Sequence, residues 1–276
     1  MELWFKETHT PNLGMVVKVK ETLHREKTRY QDLMIMDTYE FGRALVLDGY
    51  IQTTEKDEFI YHEMLVHVPL MAHANPNKVL IIGGGDGGAI REVLKHRKVQ
   101  QAFLVDIDER VVATCREYLP SLSSALDDPR VTVTIADGIE YVKQFKEAFD
   151  VIIVDSTDPL GPSVGLFNRS FYESAYGALR SGGILVAQSE QVMFQPDTVR
   201  DIVTTLRAIF PVAKLYLAWV PTYSAWGYGF TIATKGSDPA VISNDDLEGK
   251  TRYYSAEVHR AAFVLPPFVK EIIGGE

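Results

Sequence analysis

A chain of 276 residues, 46% hydrophobic and 24% charged, has the makeup of a globular protein with one large domain or one large and one small. Its net charge of −9 argues against nucleic-acid binding and suits cationic ligands, and the lone cysteine, Cys115, excludes an internal disulfide. No apolar run reaches membrane-spanning length, and Met1-Glu2-Leu3-Trp4-Phe5 lacks the basic-then-apolar layout of a signal peptide, so no membrane contact and a cytoplasmic location are expected.

The first fifty residues read as β-rich. Met15–Lys20, Leu33–Met36 and Ala44–Leu47 are strand candidates, with turn signals at Phe41-Gly42 and Asp48-Gly49. Hairpins this small need a partner, so residues 1–53 are expected to form a small N-terminal β-rich domain at a subunit interface. Thr54-Glu55-Lys56-Asp57 has the form of a helix cap, and the amphipathic helix through Phe59–Val66 should end near Pro69. That helix opens the second unit, residues 54–276.

From Lys78 onward strand and helix alternate. Strands at Val79–Ile82, Ala102–Val105, Val131–Ile135, Val151–Val154 and Ile184–Ala187 are separated in most cases by helices such as Glu109–Leu119, Phe167–Leu179 and Thr198–Phe210. The pattern predicts an α/β, Rossmann-like fold, a mostly parallel sheet with helices on both faces. Ala213–Trp219 and Tyr228–Ile232 lie close enough for an antiparallel hairpin at the sheet edge.

The first of these strands runs into Gly83-Gly84-Gly85-Asp86-Gly87-Gly88. Gly83, Gly85 and Gly88 satisfy G-x-G-x-x-G, and Asp106 follows about twenty residues later, where a nucleotide-binding βαβ unit keeps the acid that grips ribose hydroxyls. A purely structural glycine turn is the alternative. Asp86 would repel a pyrophosphate, so the loop suits a cationic group better. Four successive strands end in carboxylates, Asp86, Asp106, Asp137 and Asp155, at the sheet end where α/β proteins bind ligands. Any one of them could be a turn or cap residue; together they make an acidic cleft. The fourth strand continues into Asp155-Ser156-Thr157-Asp158-Pro159-Leu160-Gly161-Pro162. Two acids three apart form a paired-carboxylate site for an amine, or Asp158 merely caps a proline turn. The Pro and Gly residues make the segment a candidate lid.

These stretches resemble the polyamine aminopropyltransferases, with spermidine synthase as the nearest type. The resemblance runs through Tyr30-Gln31-Asp32, Leu47-Asp48-Gly49, Asp57-Glu58-Phe59-x-Tyr61-His62-Glu63-Met64, the Gly83–Gly88 loop, Asp155–Pro162 and Pro221-Thr222-Tyr223. It implies a methyltransferase-type sheet and transfer of the aminopropyl group from decarboxylated S-adenosylmethionine, a co-substrate, to a small amine, usually putrescine. The products would be spermidine and 5′-methylthioadenosine, with no cofactor and no metal. Position by position, it implies ribose binding by Asp106, adenine reading by Asp137-Gly138, and thioadenosine contacts from Gln31 and Pro162. Asp86 would face the aminopropyl ammonium and repel the carboxylate of intact S-adenosylmethionine. Asp155 would accept the proton of the attacking amine, with Tyr61 and Tyr223 orienting it, and His62 and Asp158 would line the amine channel. A homodimer or homotetramer is expected.

The nucleophile must be neutral, whereas an alkylamine with a lysine-like pKa of about 10 arrives protonated, so a base is needed. His62-Glu63 lacks the spacing of H-E-x-x-H, no G-x-S-x-G elbow is present, and Cys115 reads as inert packing. Two segments depart from the family pattern. In Gln188–Phe194, Met193 stands near a usual aromatic, and Glu190 is an acid able to meet the acceptor's far end. After Tyr223, Ser224-Ala225-Trp226 stands where Pro-Ser-Gly is common. Agmatine, cadaverine or a triamine therefore remain open as acceptors. A methyltransferase and a non-catalytic polyamine-binding protein are the alternative classes.

Overall fold

The computed structural model describes residues 2–158, 161–223 and 227–275. Pro159, Leu160 and Ser224-Ala225-Trp226, which the sequence places around the cleft, lie outside the described residues, as does the side chain of Pro162. Among the described residues the strands form two sheets.

The first sheet is a five-stranded antiparallel meander in chain order: β1 (Leu3–Thr10), β2 (Leu13–Lys27), β3 (Asp32–Thr38), β4 (Gly42–Leu47) and β5 (Tyr50–Thr54). Its β4–β5 turn is the expected one: Asp48 and Gly49 both have positive φ (49° and 86°), the backbone of a tight hairpin. Strands β1 and β5 escaped the sequence reading. β5 is only five residues long, and β1 buries a single side chain, Glu7, so neither shows a clean apolar alternation.

The second sheet has the order β11-β12-β10-β9-β6-β7-β8. Its strands are β6 (Lys78–Gly83), β7 (Gln101–Asp106), β8 (Val131–Ile135), β9 (Phe149–Asp155), β10 (Leu179–Gln191), β11 (Val212–Ala218) and β12 (Tyr228–Thr234). β6 to β10 are parallel; β12 runs antiparallel between β10 and β11. The expected terminal hairpin forms, with β12 inserted one place in from the edge. Helices cover both faces: α1 (Glu58–Ala72), α2 (Gly88–Val93), α3 (Glu109–Tyr118), α4 (Pro120–Ser123), α5 (Gly138–Val142), α6 (Arg169–Ala178), α7 (Pro196–Ile209), α8 (Ala256–Ala262) and α9 (Pro267–Ile272). Side chains alternate between the faces as the pleat requires. Ile81, Ile153 and Val186 pack with Met64 and Leu65 of α1, while Leu80, Ile82, Ile152 and Val154 pack with Phe171 of α6 and Leu206 of α7. Burial on both faces is why these strands read as continuous apolar runs.

Helix α1 departs from expectation twice. It passes through Pro69 to Ala72, and every residue except Phe59 is buried, so it is a core helix and not an amphipathic one. Pro69 forfeits one backbone bond, but packing on all sides outweighs that local cost. Its start also differs. Asp57 occupies the cap position, and Thr54 donates its hydroxyl to Asp57 Oδ1 at 2.6 Å in place of capping the helix.

Candidate active site

The chain runs from β6 outward to β7 and β8, then returns through β9 on the other side, so the sheet reverses direction between β6 and β9. Gly83 pairs with Asp155 at that point, and an α/β sheet opens its ligand crevice there. A cavity of about 380 Å³ lies there, walled by the glycine loop, the ends of β7 and β9, and residues of the N-terminal sheet. The glycine loop sits directly on β9. Gly84 N–H donates to the Asp155 carbonyl at 2.9 Å, and a Cβ on Gly83 (φ 84°) would lie 2.1 Å from that oxygen.

The four strand-end carboxylates differ in what holds them. Asp137 caps α5, accepting from Ile139 N–H at 2.8 Å, and is exposed. Asp106 accepts from Gly85 and Asp108 N–H at 3.0 and 2.8 Å, tying the glycine loop to the next turn. Asp86 accepts from Gly88 N–H at 2.7 Å and faces His62 Nε2 at 3.6 Å. Asp155 has no backbone donor of this kind: Tyr61 donates to Oδ1 at 2.8 Å, and Oδ2 has no hydrogen-bond partner among the described residues. A buried acceptor left unsatisfied costs free energy, so Asp155 is where the cleft holds capacity for a proton.

Helix α1 explains the spacing of the Asp57–Met64 motif. Asp57 Oδ2 accepts from the amide and hydroxyl of Thr222 at 2.9 and 2.8 Å, fixing the turn that carries Tyr223. Glu58 and His62, one turn apart, pair at 2.7 Å, and Arg91 of α2 grips Glu58 at 2.8 and 3.0 Å. Tyr61 points at Asp155, whereas Glu63 faces away and accepts three backbone N–H groups from Arg252, Tyr253 and Tyr254. Tyr61, Tyr223 and Tyr228 stand with ring centres 4.9 to 5.8 Å apart, and Tyr223 donates its hydroxyl to the Gln52 carbonyl.

Burial and mutual repulsion shape the charges. Burial raises Asp155 to about 6; the nearby His62 cation opposes the rise and Asp86 adds to it. Burial likewise raises Asp106 to about 6, helped by Asp108. Burial alone would neutralise His62, but Asp86 and Glu58 outweigh it and hold the imidazole protonated, with a pKa well above the ordinary value. Burial also opposes ionisation of Asp86, yet His62 overrides it and keeps that carboxyl below the usual range.

The cavity wall brings together Gln31, Tyr61, His62, Gly83, Gly85, Asp86, Asp106, Asp137, Gly138, Asp155, Asp158 and Tyr223. Gln31 reaches it from the N-terminal sheet, donating to Asp108 at 3.0 Å. Gly138 lies under Ile82, where a Cβ would approach to 2.3 Å. Glu190, expected to meet the far end of the acceptor, is absent from the wall; it is 1% exposed and hydrogen-bonded to Asp158 from behind. The sequence reading missed Glu7, His9, Gln52, Gln191 and Tyr228, which the fold also delivers to the wall. Glu7 is raised to about 7, mainly by burial, with Ile51 N–H opposing and Asp158 reinforcing. A charged side chain inside a strand is the one signal that could have marked it.

An acidic, tyrosine-lined crevice at the switch point of a methyltransferase-type sheet places the chain among the Rossmann-like transferases, and its carboxylates are suited to cationic groups. Residues 58–244 match the spermine/spermidine synthase domain, and residues 3–55 the spermidine synthase tetramerisation domain. The polyamine aminopropyltransferase of Thermoanaerobacter sp. (strain X514) is 53% identical over 273 residues, covering 99% of both chains. That of Caldicellulosiruptor saccharolyticus is 50% identical over 274 residues, again covering 99% of both. A spermidine synthase solved in complex with the transition-state analogue AdoDATO superposes with TM-score 0.96 at 42% identity, covering 99% of this chain and 95% of that one. Spermidine synthase from Thermotoga maritima gives 0.93 at 40%, with the same coverage. The chain belongs to the spermine/spermidine synthase family of polyamine aminopropyltransferases.

Proposed function

We propose that the enzyme transfers the aminopropyl group of decarboxylated S-adenosylmethionine to putrescine, giving spermidine and 5′-methylthioadenosine. The amine nitrogen forms a bond to the methylene beside the sulfonium as the C–S bond breaks. The sulfonium leaves as a neutral thioether, and the amine proton passes to Asp155. The observation that carries this reading is Asp155 itself, held through one oxygen by Tyr61 and, among the described residues, unpartnered at the other. With a pKa of about 6 it is mostly ionised at neutral pH and ready to accept a proton.

Around it the reading assigns the donor to Asp106, Asp137-Gly138, Gln31 and Pro162, with the aminopropyl ammonium against Asp86. His62 fixes the charge of Asp86, while Tyr61, Tyr223 and Asp158 surround the acceptor amine, where aromatic faces favour a cation. The relative solved with AdoDATO supports this class of donor. Much of the acceleration then comes from holding two substrates in line. The same reading gives residues 1–53 to assembly, as a homotetramer, supported by the tetramerisation-domain match. Residues 54–276 carry the chemistry, in the cytoplasm.

The test is purified enzyme with decarboxylated S-adenosylmethionine and a panel of putrescine, agmatine, cadaverine and spermidine, with products read by mass spectrometry. Spermidine formed fastest from putrescine is the expected result. A preference for agmatine would overturn the acceptor and leave the aminopropyl chemistry intact; no transfer to any amine would overturn the reaction.

A further inference from the structure

Behind the amine side of the cavity sits a contact that the reaction as written does not use. Asp158 is on the wall, and the carboxyl of Glu190, at the end of β10, is hydrogen-bonded to it. An ionised carboxylate only accepts hydrogen bonds, so two carboxyl groups in hydrogen-bond contact hold a proton between them. Glu190 is the deeper partner, 1% exposed and raised by burial and by Asp158, so the proton resides mainly there.

Its surroundings hold Glu190 in place. Its backbone is in the left-handed region (φ 68°), a conformation that is unfavourable for a non-glycine residue and persists where neighbours impose it. Gln188 supplies part of that constraint. Its Oε1 accepts from Tyr228 OH at 2.7 Å and from Glu190 N–H at 3.1 Å, which turns Nε2 toward Glu190 Oε1 at 3.5 Å. Among the described residues, the other ionisable groups facing the pair are Glu7 and His9 of β1, in contact with each other at 3.3 Å, and Tyr223 and Tyr228. Among these only His9 can carry positive charge, and burial holds its pKa below the ordinary value. The pocket therefore has little cationic charge of its own to balance two ionised carboxylates.

We infer that Glu190 is a positioning residue that reads the acceptor's second charge through Asp158: the pair keeps its proton in the free enzyme and loses it when a distal ammonium docks. The inference rests on the reading that this cavity accepts an amine. The step is a proton transfer alone, in which the carboxylic acid becomes a carboxylate and its proton passes by way of Asp158 to solvent. An acceptor with an apolar tail supplies no charge to balance the second carboxylate, so the proton stays. The two carboxyls titrate as one unit, and the enzyme thereby favours diamines over monoamines of equal length, increasingly so as pH rises.

The test compares 1,4-diaminobutane with 1-aminobutane, because Asp155 and the reacting amine act alike on both and cancel in the ratio. Expected in the parent is a KM ratio, monoamine over diamine, that climbs by up to about tenfold per pH unit below the pair's apparent pKa. Calorimetry of each amine binding to the methylthioadenosine complex, in buffers of different ionisation enthalpy, should show about one more proton released by the diamine. In Glu190→Gln the amide still donates to Asp158, so turnover should persist while the pH slope and the extra proton vanish; Glu190→Asp should restore both. A flat ratio in the parent, or an unchanged slope in Glu190→Gln, would overturn the inference. The parent measurements stand even if the variants fail to fold. If both amines are turned over and the parent ratio is flat, this inference alone has failed; if neither is turned over, the amine reading itself has failed.

Discussion

Asp155→Asn is the sharpest probe of the chemistry, because the structure predicts how the lost activity depends on pH. Asparagine keeps the shape and leaves Tyr61 an oxygen to donate to, but cannot take a proton. In the parent, burial raises Asp155 to about 6, so it is mostly ionised by about pH 7, and activity is lost as pH falls through about 6. The attacking amine, with a pKa of about 10, is neutral about one part in a thousand at pH 7. Handing its proton to a base of pKa about 6 is uphill by roughly four units, while losing it to water at pH 7 is uphill by roughly three. The equilibrium cost is therefore not what Asp155 removes. It lets an amine that binds as the ammonium shed its proton within the complex, and it aims the lone pair at the methylene. Without it, kcat at pH 7 should fall by about 10²–10⁴, and the residual rate should climb close to tenfold per pH unit from 7 to 9 as neutral amine accumulates. The parent should stay level over that range. Initial rates of methylthioadenosine formation at saturating donor measure both slopes. Near-normal turnover of the variant at neutral pH, or a residual rate that ignores pH, would refute the assignment of Asp155 as base.

Two further changes test the glycine loop and what lies beneath it. Asp86→Asn should weaken binding of decarboxylated S-adenosylmethionine by about 2–5 kcal/mol and narrow its advantage over the intact compound; titration calorimetry with both forms reads this, and unchanged selectivity would remove Asp86 as the discriminating group. Gly88→Ala would place a Cβ 2.2 Å from the buried His62 ring, so a loss of about 1–3 kcal/mol in urea unfolding is expected. A neutral result there would mean that loop and ring are not in the close contact described.

What the sequence made legible is what local spacing encodes. The glycine loop, the carboxylates ending four successive parallel strands and the positions of those strands were all visible, because strand, turn and strand end are consecutive in the chain. Even so, the capping alternative was partly correct: Asp137 caps α5, and Asp106 and Asp86 also accept backbone N–H groups. Separating Asp155 from them required knowing which carboxylate oxygen lacks a partner. Glu7, Gln52 and Tyr228 were not legible, because they reach the cavity from β1, β5 and β12, brought there by packing between two sheets that no periodicity within the chain announces. Pro69 misled for the same reason: the rule that proline ends a helix is local, and the burial of α1 is not.

The deeper order of the site lies in how one cation is lodged among many acids. Asp86, Asp106, Asp155 and Asp158 crowd one cavity, and their mutual repulsion should drive protons onto all of them. His62 prevents that for Asp86, and His62 stays charged in a buried place because Glu58 flanks its other nitrogen. Glu58 in turn is held by Arg91, and Arg91 by Glu92, which meets Lys95 at 2.5 Å and the ring of His67 at 3.0 Å. His67 contacts His96 at 3.0 Å, and His96 meets Asp246 at 3.0 Å. Charges alternate in sign from Asp86 through Glu92, so each ion has its counter-ion and the cavity exports its repulsion into the body of the protein. The Asp86–His62 contact, at 3.6 Å, is the longest ion contact in that series, so Asp86 stays ionised without being fully engaged. An acid in that condition can still take a substrate ammonium. Glu58 and Arg91 therefore act on Asp86 from a distance, through His62, and substitutions along the series should be coupled, not additive, in their effects on it.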